Sequence, residues 1–324
     1  MEWGSEMERY ARMLLTMGIN LEKDQELVIN ADLESAPLIR VMTEIAYQMG
    51  AREVHINWSD TTLSRYRYLY QSEEGLKTVH DWKAEMYNGY ARRGCGYVRI
   101  VSEDPDALEG VAASRIAIAG NALSAATREA ENMRMTGVSP WLVAGYPGEK
   151  WAQKVFPGRS KEDAVEALWR SILRATRADE ADPVAAWEAH QRNPSARAGW
   201  LEAQQFVSFH FENALGTDFT VGMPKQHLWA GGAARLKNGR RYIPNMPTEE
   251  VFSSPDRDCA EGKLVASLPL NHRGTLIEDF SLTFHKGCVV DFDARRGKDA
   301  LKQILDTDEG ARRLGEIALI PADS

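Results

Sequence analysis

Two acidic runs carry the residues best suited to chemistry in this chain. The first is Asn245-Met246-Pro247-Thr248-Glu249-Glu250-Val251-Phe252, and the second is Asp308-Glu309-Gly310-Ala311-Arg312-Arg313-Leu314-Gly315-Glu316. Carboxylates suit divalent cations because each offers two oxygens and a formal charge. In the first run Pro247 and Thr248 break the chain before the extended Val251-Phe252. Adjacent side chains of an extended segment point to opposite sides, so only one of Glu249 and Glu250 faces a given pocket. By spacing alone the pair reads more simply as a solvated turn. In the second run Thr307 or Asp308 is placed to cap a helix that ends on Glu316. A carboxylate there opposes the helix dipole and suggests a compensating cation. Residue types alone stop at two carboxylates of interest.

Other chemistries lack a motif. There is no GxGxxG after a strand, no GxxxxGK[ST], no GxSxG and no HExxH. His55, His80, His190, His210, His227, His272 and His285 include no pair at helical or strand spacing, so no His-led zinc site is written locally. His227 is the least ordinary of them, because turn-rich sequence surrounds it. His190, in Trp187-Glu188-Ala189-His190, reads as a packed or solvated helix residue. Cys95, Cys259 and Cys288 form no CxxC and read as reduced thiols.

The elements that must position these groups follow from patterning. The 324 residues are 44% apolar and 27% charged, as expected for a globular protein with a substantial core. A net charge of −8 argues against a nucleic-acid surface. No basic, apolar leader opens the chain and no stretch is long enough to span a bilayer, which predicts a cytoplasmic protein without a membrane partner. Ser5 and Glu8 have capping-box spacing ahead of a helix closed by Gly18. Leu27-Val28-Ile29 predicts a buried strand, Ser35 a helix cap, and Val54, Ile56 and Trp58 an alternating strand. Helices are predicted over roughly 61–92 and 111–134, with strands at Tyr97–Val101 and Trp141–Ala144. Ser160 and Asp163 predict another helix start, and a further helix follows Pro183. Strands separated by helices imply a mostly parallel sheet with flanking helices. From Phe206 onward short alternating strands separated by turns predict antiparallel pairing. The expected organisation is an α/β domain over 1–195 and a β-rich α+β domain over 196–324. Helices at Lys298–Leu305 and Asp308–Glu316 and a strand at Ile317–Ile320 close it.

Several long, collinear runs make the chain resemble the thermophilic-type metallo-aminopeptidases. They are Asp182–His190, Gly216–Gly222, His227–Gly232, Asn245–Phe252, Leu276-Ile277-Glu278 and Thr307–Pro321. The resemblance implies an enzyme that releases N-terminal residues from peptides through a water activated by two divalent metal ions, whether Zn, Co or Mg. It implies a homodimer, and it makes Glu250 and Glu316 metal ligands. The family's remaining ligands, two histidines and an aspartate, and a tyrosine near the metals lie in a segment beyond Ser324. The expectation is therefore a C-terminally truncated chain, a β-rich domain that is incomplete, and little or no activity from the chain alone. Two alternatives stand beside it: a non-catalytic homologue that dimerises or binds peptides, and a related ring-cleaving dioxygenase with mononuclear iron.

Overall fold

The computed structural model describes residues 3–322. Two compact units form. One takes the chain up to Ala107 with 118–191 and 233–248; the other takes 108–117, 192–232 and the residues from Glu249 onward.

The first unit is built on a five-stranded parallel sheet. Its strands are β1 (Glu26–Asp32), β2 (Glu53–Ser59), β3 (Gly96–Val101), β4 (Trp141–Gly145) and β10 (Asn245–Met246), in the order β10-β4-β3-β1-β2. Helices α1 (Gly4–Met13), α2 (Ala36–Gln48), α3 (Thr61–Tyr70), α4 (Glu73–Lys77) and α5 (Asp81–Arg92) come from its first part. After α6 (Ala113–Ala126), α7 (Arg128–Met135), α8 (Glu149–Val155), α9 (Lys161–Ala175) and α10 (Pro183–His190) follow. A small ribbon pairs β8 (Ala234–Arg235) with β9 (Arg241–Tyr242).

The two faces of this sheet differ. Leu27, Ile29, Val98, Ile100, Leu142 and Ala144 point into a core with Tyr10, Leu38, Met42, Trp169 and Trp187. The opposite face carries two rows set by the register. Val28 lies beside His55 and Tyr97, and Asn30 beside Asn57 and Arg99. Buried parallel strands are ordinarily apolar on both faces, so this polar row is a local departure. Asn88 ties α5 to the junction of α6 and α7: its Nδ2 donates to the Ala126 carbonyl at 3.0 Å and its Oδ1 accepts from Ala130 N at 3.1 Å.

Capping decides several boundaries. Ser160 accepts from Asp163 N at 3.1 Å and starts α9, as its spacing predicts. Asp182 accepts from Ala185 N at 3.0 Å, with Pro183 in the first turn of α10. Ser72 accepts from Gly75 N at 3.1 Å and divides the helical stretch expected over 61–92. Two expected caps do not form. Ser5 lies inside α1, whose N-cap is Trp3 without a side-chain bond, so there is no Ser5–Glu8 box. The Ser35 hydroxyl donates to the Asp32 carbonyl at 2.6 Å instead of accepting from α2.

The second unit is largely antiparallel. Strands β5 (Ser208–Glu212), β6 (Asp218–Gly222), β12 (Ala260–Val265), β13 (Leu270–His272) and β14 (Thr275–His285) run in the order β13-β14-β12-β6-β5, and β15 (Cys288–Arg296) pairs with β14. A smaller sheet holds β7 (Ala230–Gly231), β11 (Val251–Ser253) and β16 (Ile317–Leu319) in the order β16-β11-β7. With α11 (Arg192–Gln204) and α12 (Lys298–Leu305) these enclose Ala198, Phe219, Val221, Ile277, Phe284, Leu301 and Ile317.

The helix expected over Asp308–Glu316 is absent. The segment makes separate turns, Ala311 N to Asp308 O at 3.3 Å and Arg313 N to Gly310 O at 3.0 Å. The Asp308 carboxylate takes Gly310 N at 2.9 Å, a bond of the kind a helix cap makes, but the turn is not propagated. Gly310 and Gly315 add the backbone entropy that disfavours a helix in so short a run. The macrodipole argument for a cation at Glu316 falls with the helix.

Candidate metal centre

Glu250 and Glu316 each stand one residue ahead of a strand of the same small sheet. β11 and β16 are antiparallel neighbours, with Phe252 opposite Ala318. Glu250 and Glu316 thus flank the paired strands from opposite ends of the ladder. Their fields meet. The Glu316 carboxyl is held above its ordinary range, first by loss of water contact and then by the charge of Glu250. Neighbouring like charges disfavour each other's ionised form.

The backbone leading into Glu250 is tied down from both sides. His190 Nε2 lies 2.9 Å from the Thr248 carbonyl. Arg197 donates to the Glu249 carbonyl at 2.6 Å. On β7, Gly231 permits close approach: a Cβ there would sit 2.9 Å from the Glu250 carbonyl oxygen and 2.8 Å from Val251 Cγ1. None of these three supporting residues is evident from spacing. Composition places His190 on a helix, but only the folded chain brings it to Thr248.

The other histidines stay apart from the pair. His227 is buried, with Nδ1 3.0 Å from the Pro224 carbonyl and its ring edge-on to Trp229. His285 faces Glu261 at 3.1 Å, and His210 faces the Thr220 hydroxyl at 2.9 Å. Among the described residues no group of three or more His, Cys, Asp or Glu side chains converges as a metal cage would. Glu250 and Glu316 thus fit one part of a divalent-metal site, its carboxylates, and no third donor joins them. Among the described residues no helix is long and apolar enough to cross a membrane.

Comparison with known proteins gives this geometry its setting. The profile of the thermophilic metalloprotease family (M29) matches residues 4–324. Aminopeptidase T of Thermus thermophilus is 41% identical over 321 residues, covering 98% of this chain and 78% of that protein. Aminopeptidase AmpS of Bacillus subtilis is 35% identical over 322 residues, covering 99% and 78%. The solved structure of wild-type AmpT from Thermus thermophilus superposes with a TM-score of 0.89 at 39% identity, over 98% of this chain and 79% of that one.

Proposed function

The chain belongs to the thermophilic metalloprotease family M29, an enzyme family that implies divalent metal ions, and from that premise we propose that it is a metal-dependent aminopeptidase acting on peptides. The observation that supports the proposal is the nearness of Glu250 to Glu316, each one residue ahead of a strand of the same antiparallel pair, with the Glu250 charge felt at the Glu316 carboxyl. The names of the relatives, aminopeptidases T and AmpS, supply the reaction class.

In this reading Glu250 and Glu316 supply the carboxylates of a dinuclear centre. Two bound divalent ions would acidify a water toward neutral pH and polarise the scissile carbonyl. The chain's own residues do the positioning. His190 and Arg197 hold the carbonyls of Thr248 and Glu249, which fixes the direction in which Glu250 leaves the backbone. Gly231 lets β7 lie against that same segment. A neighbouring cation would favour the charged form of Glu316, which loss of water contact and then the Glu250 charge hold above its ordinary range.

The homodimer and the cytoplasmic location implied by the resemblance form part of the same proposal. Competition titration of the chelator-stripped chain with Zn²⁺, Co²⁺ and Mg²⁺ is the primary test. Leucine p-nitroanilide hydrolysis is followed in parallel, with Glu250→Ala as control. Metal binding that drops in Glu250→Ala and Glu316→Ala supports the reading. Unchanged metal binding in both variants, or hydrolysis insensitive to chelator, overturns it.

A further inference from the structure

The first unit contains a cleft of about 680 Å³ at the carboxyl ends of its parallel strands. Its floor is the polar row of the sheet, Asn30, Asn57 and Arg99, and its wall is formed from α3, α5 and α7. The strand order turns back on itself here. The chain passes from β1 outward to β2, then crosses to β3 on the other side of β1. In open parallel sheets that reversal opens a crevice in which small ligands bind, and the volume lies within the range of small-molecule sites.

The charges in the cleft do not cancel. Its carboxylates are already engaged. Glu103 pairs with Arg99 at 2.8 Å, and Asp60 accepts from Leu63 N at 3.0 Å as the cap of α3. Three cations remain without a carboxylate among the described residues. Arg67 donates only to Gln71 at 2.8 Å, Arg134 stacks 4.6 Å from the Tyr97 ring centroid, and Lys83 has no ion pair. The Lys83 ammonium is pushed below its ordinary range, first by burial and then by Arg67. A donor is idle as well: Asn30 Nδ2 is buried without a partner, although Asn30 Oδ1 accepts from Asn57 at 3.2 Å. Buried donors and cations are ordinarily paired. Trp58, 44% exposed, offers a planar surface beside them.

We propose that this cleft binds a small organic oxyanion, a phosphate or carboxylate carried on a planar group. The oxyanion is held by Arg67, Lys83, Arg134 and Asn30 Nδ2, and the planar group lies against Trp58 and Tyr97. The site involves neither Glu250 nor Glu316 and does not depend on the metal reading.

Calorimetric titration of the purified chain tests it, with AMP, phenylacetate and, as the uncharged control, adenosine. At least one charged probe is expected to bind and adenosine to give no heat. AMP alone marks the phosphate as the ligand class, and phenylacetate alone the carboxylate. Lys83→Met and Arg134→Gln should each weaken binding by about tenfold, the loss of one charge-assisted contact. Should either variant melt much lower than the parent, Arg67→Gln replaces it. The same binding in a Glu250→Ala chain keeps the result separate from the metal proposal. Absence of binding by both charged probes at millimolar concentration, binding of adenosine equal to AMP, or parental affinity in the folded variants overturns the proposal.

Discussion

The carboxylate pair of the small sheet and the cationic cleft of the parallel sheet are opposites in charge and alike in design. In one, Glu316 is raised by burial and then by Glu250; in the other, Lys83 is lowered by burial and then by Arg67. In each, one group loses water beside a like charge, and its charged form is disfavoured. They differ in what surrounds the charge. The acids sit at strand ends with backbone supports and, among the described residues, no third donor. The cations line a formed cleft with an idle amide donor. A like-charge pair costs stability in the free protein and is relieved by a ligand of opposite sign. The comparison therefore sets two proposed sites of opposite sign beside each other, the cationic one lining a formed cleft.

The largest effect expected falls on the acidic pair. Glu250→Ala and Glu316→Ala should each lower affinity for Zn²⁺ or Co²⁺ by on the order of a hundredfold, the upper end seen even for residues one step removed from a metal. Competition with a metal-responsive dye reads this directly. A loss in only one variant would break the symmetry assumed for the pair. Gly231→Ala should act next in size. The added Cβ meets the Glu250 carbonyl oxygen at 2.9 Å and Val251 Cγ1 at 2.8 Å, so β11 must shift. Metal affinity should fall by about tenfold, as for a displaced support. If it stays at the parental value, Gly231 serves packing rather than the site.

How much of this was legible in the sequence depends on the range of the interaction. Leu27-Val28-Ile29 and the alternation of Val54, Ile56 and Trp58 announce β1 and β2, because strand periodicity is local. Lys298–Leu305 forms α12 as its pattern predicts. The reading of Asp308–Glu316 failed on a local balance as well: Asp308 takes the Gly310 amide as a helix cap would, but the run through Gly310 and Gly315 does not propagate the turn. The nearness of Glu250 to Glu316 was beyond reach, since it comes about through the β11–β16 pairing. The polar row of Asn30, Asn57 and Arg99 is hidden in the same way. The three sit in separate strands, and only parallel register lines them up.

The cationic side of the comparison yields a smaller effect of the opposite sign. Lys83→Met removes one of two repelling cations and keeps most of the side-chain volume. The unliganded chain should gain up to about 1 kcal/mol, seen as a higher melting temperature. Added salt should shrink the gain, because it screens the repulsion that the substitution removes. A lower melting temperature would mean that Lys83 has a stabilising role its surroundings do not reveal.

Glu26 marks the other limit, a carboxylate whose cation is already in place, and gives the smallest effect. Its carboxyl is held below the ordinary range first by the Arg93 guanidinium at 2.9 Å, then by the Cys95 thiol at 3.4 Å and by His55. A carboxyl depressed in the folded state stabilises at all pH values above its unfolded range. That contribution disappears as pH falls through the folded value, where both states carry the proton. Arg93 is half exposed, so solvent screening holds the contribution to about 0.5–1 kcal/mol. Glu26→Gln should cost that much at neutral pH and nothing in strong acid, as measured by urea unfolding at each pH. The Cys95 thiol, pushed up to about 12 by burial first and by Glu26 second, should fall only part of the way back in the variant. A cost that persists in acid would assign Glu26 to packing, and the contrast between satisfied and waiting charges would then rest on the cleft and the acidic pair alone.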